Sequence, residues 1–194
     1  MFAVVVTGPP GAGKTACLTA LSDALTDDRI AHATVDVDEV AWAYPFPDLA
    51  QRCEHLRAWC EPHRRAGRDL VLVSEVIESP AHFRDVLASL GADDHLLVGL
   101  EAAPDTLRKR IIAREPPGWS GLPYLLDYTE RLRVSLAELD HAHLLFDSER
   151  LAPQEIADRI RAARPDKLEP GDALRSSPPR NHGSRSSNVP ERRP

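Results

Sequence analysis

Residues 8–15 constrain the possible fold more than any other part of this chain. They read GPPGAGKT and fit the pattern G-x-x-x-x-G-K-S/T. The apolar run Phe2–Thr7 before them is typical of a buried β-strand, and Leu18, Leu21 and Leu25 after them have helical spacing. A strand, a glycine-rich turn and a helix start form a loop whose main-chain N–H groups bind phosphate. The sequence therefore predicts such a loop directly after the first strand.

The residues of this loop have distinct predicted roles. Gly11 and Gly13 let the backbone approach a phosphate without a Cβ in the way. Lys14 can reach the β- and γ-phosphates of a nucleotide, and the Thr15 hydroxyl can ligate Mg²⁺. We therefore expect this loop to bind ATP and Mg²⁺. The predicted nucleotide-binding residues are Gly8, Gly11, Ala12, Gly13, Lys14, Thr15 and Ala16.

Five apolar runs alternate with helical patterns along the chain. The intervals between them have the length of βαβ crossovers, and continuous apolar runs suit a parallel sheet that is covered on both faces. The sequence therefore predicts one α/β domain over residues 1–164, a three-layer sandwich with a five-stranded parallel sheet. Residues 165–194 are rich in Pro, Ser and Arg without aromatic residues, so we expect a disordered tail. The predicted strands are Phe2–Thr7 and residues 32–37, 69–74, 95–100 and 142–147.

Composition and charge argue against several classes of function. No stretch approaches roughly 18 apolar residues and the first strand leaves no room for a signal peptide, so we expect no membrane contact. Cys17, Cys53 and Cys60 lack disulfide spacing, which favours a cytoplasmic protein. Residues 175–194 carry a net charge of +4, so residues 1–174 carry −10 of the total of −6. Such an acidic body argues against nucleic acid as the main partner.

Two aspartates follow the second predicted strand. Asp36 and Asp38 would point the same way from an extended segment, and ligands of a parallel sheet bind beyond the carboxyl ends of its strands. One carboxylate can hold a metal ion through water while the other accepts a proton from an attacking hydroxyl. The alternative is a solvated acidic loop. The third strand lacks the usual terminal aspartate, so Ser74, Glu75 or Asp36 could serve the metal ion.

Two arginines precede a loop rich in proline and glycine. Arg110 and Arg114 lie one helical turn apart, and residues 116–121 read PPGWSG. Guanidinium groups beside a short mobile lid are well placed to close on the β- and γ-phosphates. The alternative is a solvent-facing basic stripe. The last loop, residues 147–152, is a place where an adenine could bind.

The chain resembles the small P-loop kinases, a group that contains shikimate kinase, gluconate kinase and chloramphenicol phosphotransferase. Residues 8–15 match the phosphate loop of these enzymes, and Asp36 and Asp38 are similar to the D-x-D of shikimate kinase. The resemblance covers residues 2–164. It implies that Asp36 lies near Mg²⁺ and that Asp38 contacts the substrate hydroxyl.

The same resemblance includes the arginines before the predicted lid but not the residues expected to bind the acceptor. Arg110 and Arg114 resemble the arginines that lead into the lid of these kinases. The glycine triplet that follows the third strand of shikimate kinase is missing, which argues against shikimate as the acceptor. Trp42 lies in an aromatic loop, residues 42–47, that precedes a predicted helix and favours a bulkier or less charged acceptor. Glu78 could face the same pocket or could simply precede a helix.

These features together predict an ATP-dependent phosphotransferase. Asp38 would orient or deprotonate the hydroxyl of a small-molecule acceptor, while Lys14, Arg110 and Arg114 would act on the phosphates. The predicted acceptor-binding residues are Asp38, Trp42 and Glu78, and the predicted metal ligands are Thr15 and Asp36. A regulatory nucleotide-binding protein and a polynucleotide 5′-hydroxyl kinase are the alternatives. The sequence identifies neither the acceptor nor the oligomeric state.

Overall fold

A five-stranded parallel sheet forms the centre of the protein. The computed structural model describes residues 1–137 and 142–170, and within them the strand order is β2-β3-β1-β4-β5. Every neighbouring pair is parallel, and all six residues of the central strand are buried. The predicted five-stranded parallel sheet is therefore confirmed. The strands are β1 (Phe2–Thr7), β2 (Ala33–Asp36), β3 (Leu70–Ser74), β4 (Asp94–Glu101) and β5 (Leu144–Asp147).

Helices cover both faces of this sheet. Val4 and Val6 belong to one apolar cluster with residues of α1 and α7, whereas Ala3 and Val5 belong to a second cluster with residues of α3 and α4. This alternation follows from the period of two along a strand and produces the predicted three layers. The helices are α1 (Lys14–Asp27), α2 (Val37–Val40), α3 (Leu49–Arg65), α4 (Pro80–Leu90), α5 (Pro104–Arg114), α6 (Leu122–Ala137), α7 (Pro153–Ala163) and α8 (Pro165–Leu168).

Local sequence signals account for several helix ends. The Asp48 carboxylate accepts a hydrogen bond from the Gln51 amide, and the Gln51 side-chain oxygen accepts one from the Asp48 amide, which makes a capping box at the start of α3. Ser79 caps α4, whose first residue is Pro80. None of the helices in the described part of the chain is long and apolar enough to cross a membrane.

Residues 165–168 depart from the predicted disordered tail. Residues 165–168 form the short helix α8, and Leu168 is fully buried in the cluster that contains α1 and α7. Ordered structure therefore extends beyond the predicted domain boundary at residue 164, because one leucine in the polar segment finds an apolar surface. The rest of the predicted tail, residues 171–194, lies outside the described residues.

Parallel strands place all their carboxyl ends at one edge of the sheet. The loop of residues 8–13 follows β1 at this edge, Asp36 ends β2, and Glu75 follows β3. The loop passes close to the end of β4, since a Cβ on Gly8 would lie 2.5 Å from the carbonyl oxygen of Leu100. Glycine at position 8 is therefore required by a close backbone approach.

We predict that Gly8→Ala destabilises the protein more than Gly13→Ala. Both residues have positive φ (+153° and +96°), but a Cβ on Gly13 would meet nothing within 4 Å. Backbone strain alone should lower the free energy of unfolding of Gly13→Ala by about 1–2 kcal/mol. The backbone clash should raise the loss for Gly8→Ala to about 3 kcal/mol or more. Urea unfolding of both variants tests this, and equal losses would contradict it.

Candidate functional site

The loop between β1 and α1 presents free main-chain N–H groups. Gly13 precedes α1 in the left-handed region, and no side chain caps the helix. A turn in which the Ala12 amide donates to the Pro9 carbonyl oxygen (3.1 Å) shapes the preceding residues. The first amides of a helix have no intrahelical acceptor, so they can bind an anion. The backbone at the start of α1 is therefore compatible with the anion site that the sequence predicts.

Lys14 lies at this loop in an acidic neighbourhood. Its ammonium group donates to the carbonyl oxygens of Gly8 (2.9 Å) and Pro9 (3.4 Å). Burial lowers the pKa of Lys14, while the nearby carboxylates of Asp38, Asp36 and Glu75 oppose this shift, in that order of size. The structure thus brings Lys14 and both predicted aspartates into one electrostatic neighbourhood.

The sequence predicted that Asp36 and Asp38 would point the same way from an extended segment. The structure differs, because Asp38 lies in the short helix α2. Asp36 is the N-cap of α2, and its carboxylate accepts a hydrogen bond from the Asp38 amide (3.2 Å). This local bond turns the chain into a helix directly after β2. The Thr15 hydroxyl donates to Asp36 (3.3 Å), whereas Asp38 accepts a hydrogen bond from Arg52 (2.9 Å). The two carboxylates therefore have separate partners.

Three oxygen-bearing side chains near the loop fit a Mg²⁺ ion. Thr15 and Asp36 are in contact, as predicted. The Ser74 hydroxyl at the end of β3 is buried and lacks a hydrogen-bond partner among the described residues. The described residues contain no group of three His, Cys, Asp or Glu side chains that could hold a metal. This donor set suits Mg²⁺, which commonly binds one or two protein oxygens together with substrate phosphates and water.

Glu75 is a buried carboxylate whose partner sequence reasoning missed. The Arg52 guanidinium donates to both Glu75 oxygens (2.9 and 3.0 Å), and the Val76 amide donates to one of them (2.9 Å). Because Glu75 is only 3% exposed, burial raises its pKa to about 7. The same Nη2 atom of Arg52 reaches Asp38. An acidic residue directly after a buried strand requires a basic partner. This requirement is the sequence signal that would have prompted a search for a residue such as Arg52.

A second pair links Glu78, which precedes α4, to Tyr128 of α6. The Tyr128 hydroxyl of α6 donates to Glu78 at 2.5 Å. Burial and this hydrogen bond raise the pKa of Tyr128, and Asp38 contributes to the rise. Tyr128, which the sequence analysis did not identify, therefore lies in the same neighbourhood as Asp38. His82 accepts a hydrogen bond from the Glu78 amide (3.3 Å), and burial lowers its pKa.

The predicted aromatic pocket does not form as an enclosed cavity. Trp42, Tyr44 and Phe46 are 78%, 91% and 74% exposed. Trp42 packs edge-on against Phe46, with ring centroids 6.2 Å apart. Because prolines keep this segment out of a helix, its rings remain on the surface. The side chains gathered around Asp38 are charged or polar instead.

Arg110 and Arg114 have different surroundings although they lie on one helix. Arg110 donates to the Gly11 carbonyl oxygen (3.1 Å) and to the Ser148 hydroxyl and carbonyl oxygens (3.0 and 2.9 Å). Arg114 donates from Nε to Glu115 (2.8 Å), and its charge helps to lower the pKa of Lys14. Arg114 is therefore near the phosphate loop, whereas Arg110 joins that loop to the segment after β5.

A cleft of about 280 Å³ lies beside Arg110 and its partners Gly11 and Ser148. It adjoins the phosphate loop and the start of α7, where the sequence predicted a place for adenine. Most of its lining is apolar, which suits the flat face of a nucleobase. The lining residues are Gly11, Ala12, Gly13, Ala16, Cys17, Leu100, Arg110, Ser148, Leu151, Pro153 and Ile156.

Solved structures of several kinases share this architecture. An unliganded sugar kinase from Janibacter sp. has a TM-score of 0.60 at 19% identity, over 90% of this chain and 98% of its own. A gluconokinase from Sinorhizobium meliloti (TM-score 0.56, 19% identity) covers 84% and 94%. A shikimate kinase from Bacteroides thetaiotaomicron (TM-score 0.56, 18% identity) covers 84% and 97%. The chain has the fold of the small P-loop kinases.

The predicted resemblance is thus confirmed at the level of the fold. No protein-family model matches the sequence, and a search of curated proteins finds no match. The likeness to small P-loop kinases is therefore carried by the arrangement of strands and helices rather than by sequence identity.

We predict that Glu75 makes stability fall as the pH rises. Its pKa of about 7 lies above the ordinary value of 4.5, so between these values the folded protein keeps a proton that the unfolded chain has released. The stability difference between wild type and Glu75→Gln should therefore fall, on the order of 3 kcal/mol, from pH 4.5 to 7 and level off above. Urea unfolding across pH measures this, with exposed Glu39→Gln as the control. Wild type and Glu75→Gln that show the same pH dependence of the unfolding free energy would contradict the prediction.

Proposed function

We propose that the protein is an ATP-dependent phosphotransferase that moves a γ-phosphoryl group to a hydroxyl of a small molecule. The observation that carries this is the proximity of the Asp38 carboxylate to Lys14 of the loop. Asp38 is the strongest of the carboxylates that act on the pKa of Lys14, yet its side chain remains 64% exposed. An acceptor hydroxyl could thus contact Asp38 and the terminal phosphate together. The fold shared with sugar, gluconate and shikimate kinases supports this function.

The nucleotide would bind through the loop and the neighbouring cleft. The free amides at the start of α1 and the Lys14 ammonium would bind the β- and γ-phosphates. The adenine would occupy the apolar cleft beside Ser148 and Pro153. Arg110 would keep the two walls of this site together through its bonds to Gly11 and Ser148. We therefore assign Arg110 a positioning role, in place of the direct phosphate contact expected from the sequence.

Thr15 and Asp36 would hold Mg²⁺, with the unpartnered Ser74 hydroxyl available to one of its waters. When bound, the ion would neutralise charge on the phosphates. Glu75 is less suited to this role because both its oxygens already accept hydrogen bonds from Arg52. Of the three residues that the sequence left open, Asp36 and Ser74 are thus the proposed metal-side residues.

The acceptor side would prepare the nucleophile. Asp38 would accept the proton of the acceptor hydroxyl while the oxygen of that hydroxyl bonds to the γ-phosphorus. The bond between the γ-phosphorus and the oxygen that bridges it to the β-phosphate would break, which releases ADP. Arg52, anchored by Glu75, would hold the Asp38 carboxylate in place. Arg114 would leave Glu115 and bind the transferred group as the lid closes. Glu78 and Trp42 would contact more distant parts of the acceptor.

The two alternative functions receive less support. A polynucleotide acceptor would bring phosphates next to Asp38, Glu75 and Glu78, which repel them. A purely regulatory nucleotide-binding protein gives no role to Asp38 and its supporting pair. We propose a cytoplasmic location because Cys17, Cys53 and Cys60 are free thiols.

We predict that Asp38→Ala lowers kcat by roughly 10²–10⁴-fold with little change in the Kd for ATP, because it removes the base and not the phosphate site. Steady-state kinetics with an alcohol that the wild type phosphorylates measures kcat, and nucleotide titration measures the Kd for ATP. Glu39→Gln, which removes an exposed carboxylate from the same short helix, is the matched control and should keep wild-type rates. Unchanged turnover in Asp38→Ala would overturn the assignment.

We predict that Arg110→Gln raises the KM for ATP by about tenfold and changes kcat by less than about threefold, because loosening the cleft weakens ground-state binding. The exposed Arg108→Gln on the same helix should leave both constants unchanged. A large fall in kcat with an unchanged KM would mean instead that Arg110 acts on the transferred phosphoryl group.

A further inference from the structure

The only cation bound to Asp38 in the described part of the chain is already shared. Nη2 of Arg52 donates to Asp38 and to both oxygens of Glu75. The Arg52 side chain is 25% exposed and that of Glu75 only 1%, so the bond to Glu75 is the more sheltered of the two. One guanidinium charge is therefore balanced by two carboxylates before any acceptor binds.

The neighbouring polar groups add no positive charge. Glu78 accepts its hydrogen bond from the Tyr128 hydroxyl, which stays neutral because burial and Glu78 raise the pKa of Tyr128. His82 is kept neutral by burial, which lowers its pKa. Lys14 and Arg114 lie at the phosphate loop. Among the side chains that the structure describes, the surroundings of Asp38 are thus rich in carboxylates, and Arg52, which is already paired, is the cation that contacts them.

An anionic acceptor could meet Arg52 either after the guanidinium has left Glu75 or while it still pairs with Glu75 and Asp38. Turning the guanidinium away from Glu75 would leave a buried carboxylate without a counter-charge, which is costly. If Arg52 stays, an incoming carboxylate would lie among Asp38, Glu75 and Glu78. Either arrangement disfavours a substrate that carries its own negative charge. Shikimate and gluconate, named in two kinases of the same fold, are both carboxylates.

We propose that the acceptor is an alcohol without a carboxylate or phosphate of its own, either neutral or amine-bearing, and that Glu75 sets this specificity by neutralising Arg52. The proposal rests on the phosphotransferase function proposed above. Glu75 acts here through Arg52 and is not itself a contact of the acceptor. Its removal should therefore change which acceptors bind rather than abolish the nucleotide site.

The test compares matched alcohols that differ in charge. D-gluconate, D-glucitol and D-glucamine form one set, and shikimate and its methyl ester form another. ADP release with ATP and Mg²⁺ gives kcat/KM for each. In the wild type, each acid should fall at least tenfold below its neutral or amine partner. In Glu75→Gln the ratio of kcat/KM for the neutral or amine partner to that for the acid should fall about tenfold. Glu54→Gln, an exposed change on α3, the helix that carries Arg52, should leave this ratio unchanged.

Each result decides between the proposals. Acids that match or exceed their partners in the wild type would overturn the acceptor class while leaving the phosphotransferase intact. Transfer to no alcohol, with ATP bound, would overturn the phosphotransferase and the acceptor class together. An unchanged ratio in a folded Glu75→Gln would overturn the role of Glu75. If thermal unfolding shows that Glu75→Gln does not fold, the wild-type ratios alone decide the acceptor class.

Discussion

The unpaired amide groups at the start of α1 are the constraint on which the rest of the structure depends. Glycines place these N–H groups in a curved loop, and Gly8 allows that loop to pass against the end of β4. Because β1 is the central strand, the loop emerges at the middle of the sheet, between the ends of β3 and β4. Parallel order then brings Asp36 and Glu75 to the same edge. The proposed anion site at the centre of the sheet edge therefore lies beside carboxylates that follow the neighbouring strands.

The sequence predicted what depends on short-range patterns. Continuous apolar runs located all five strands within a few residues, and the spacing of glycine and lysine located the loop. The proximity of Asp36 to Thr15 followed from the position of Asp36 at a strand end. The orientation of Asp38 did not, because one hydrogen bond from its amide to Asp36 converts an extended segment into a helix. Such a local competition leaves little trace in a hydrophobic pattern.

Residues contributed by distant helices could not be predicted in this way. Arg52 lies 23 positions before Glu75, and Tyr128 lies 50 positions after Glu78. Each is a polar residue on a helix whose apolar spacing accounts for the fold without it. Arg110 illustrates the converse, since its helical position was correct but its partners, Gly11 and Ser148, come from loops that only the folded sheet brings together. Hydrophobic periodicity therefore locates the strands and helices. The arrangement of the candidate site depends on ion pairs and hydrogen bonds between them.

The compensation of Glu75 links stability to specificity. A buried carboxylate is costly unless a cation accompanies it, so Arg52 is held in place by the fold rather than by a ligand. The same guanidinium steadies Asp38, which connects the core of the sheet to the proposed base. A cation that is already paired with Glu75 and Asp38 is a poor receptor for an anionic substrate, which is the basis of the acceptor class proposed above. Under that proposal, recognition of the acceptor would depend on hydrogen bonds and shape around Glu78 and Tyr128.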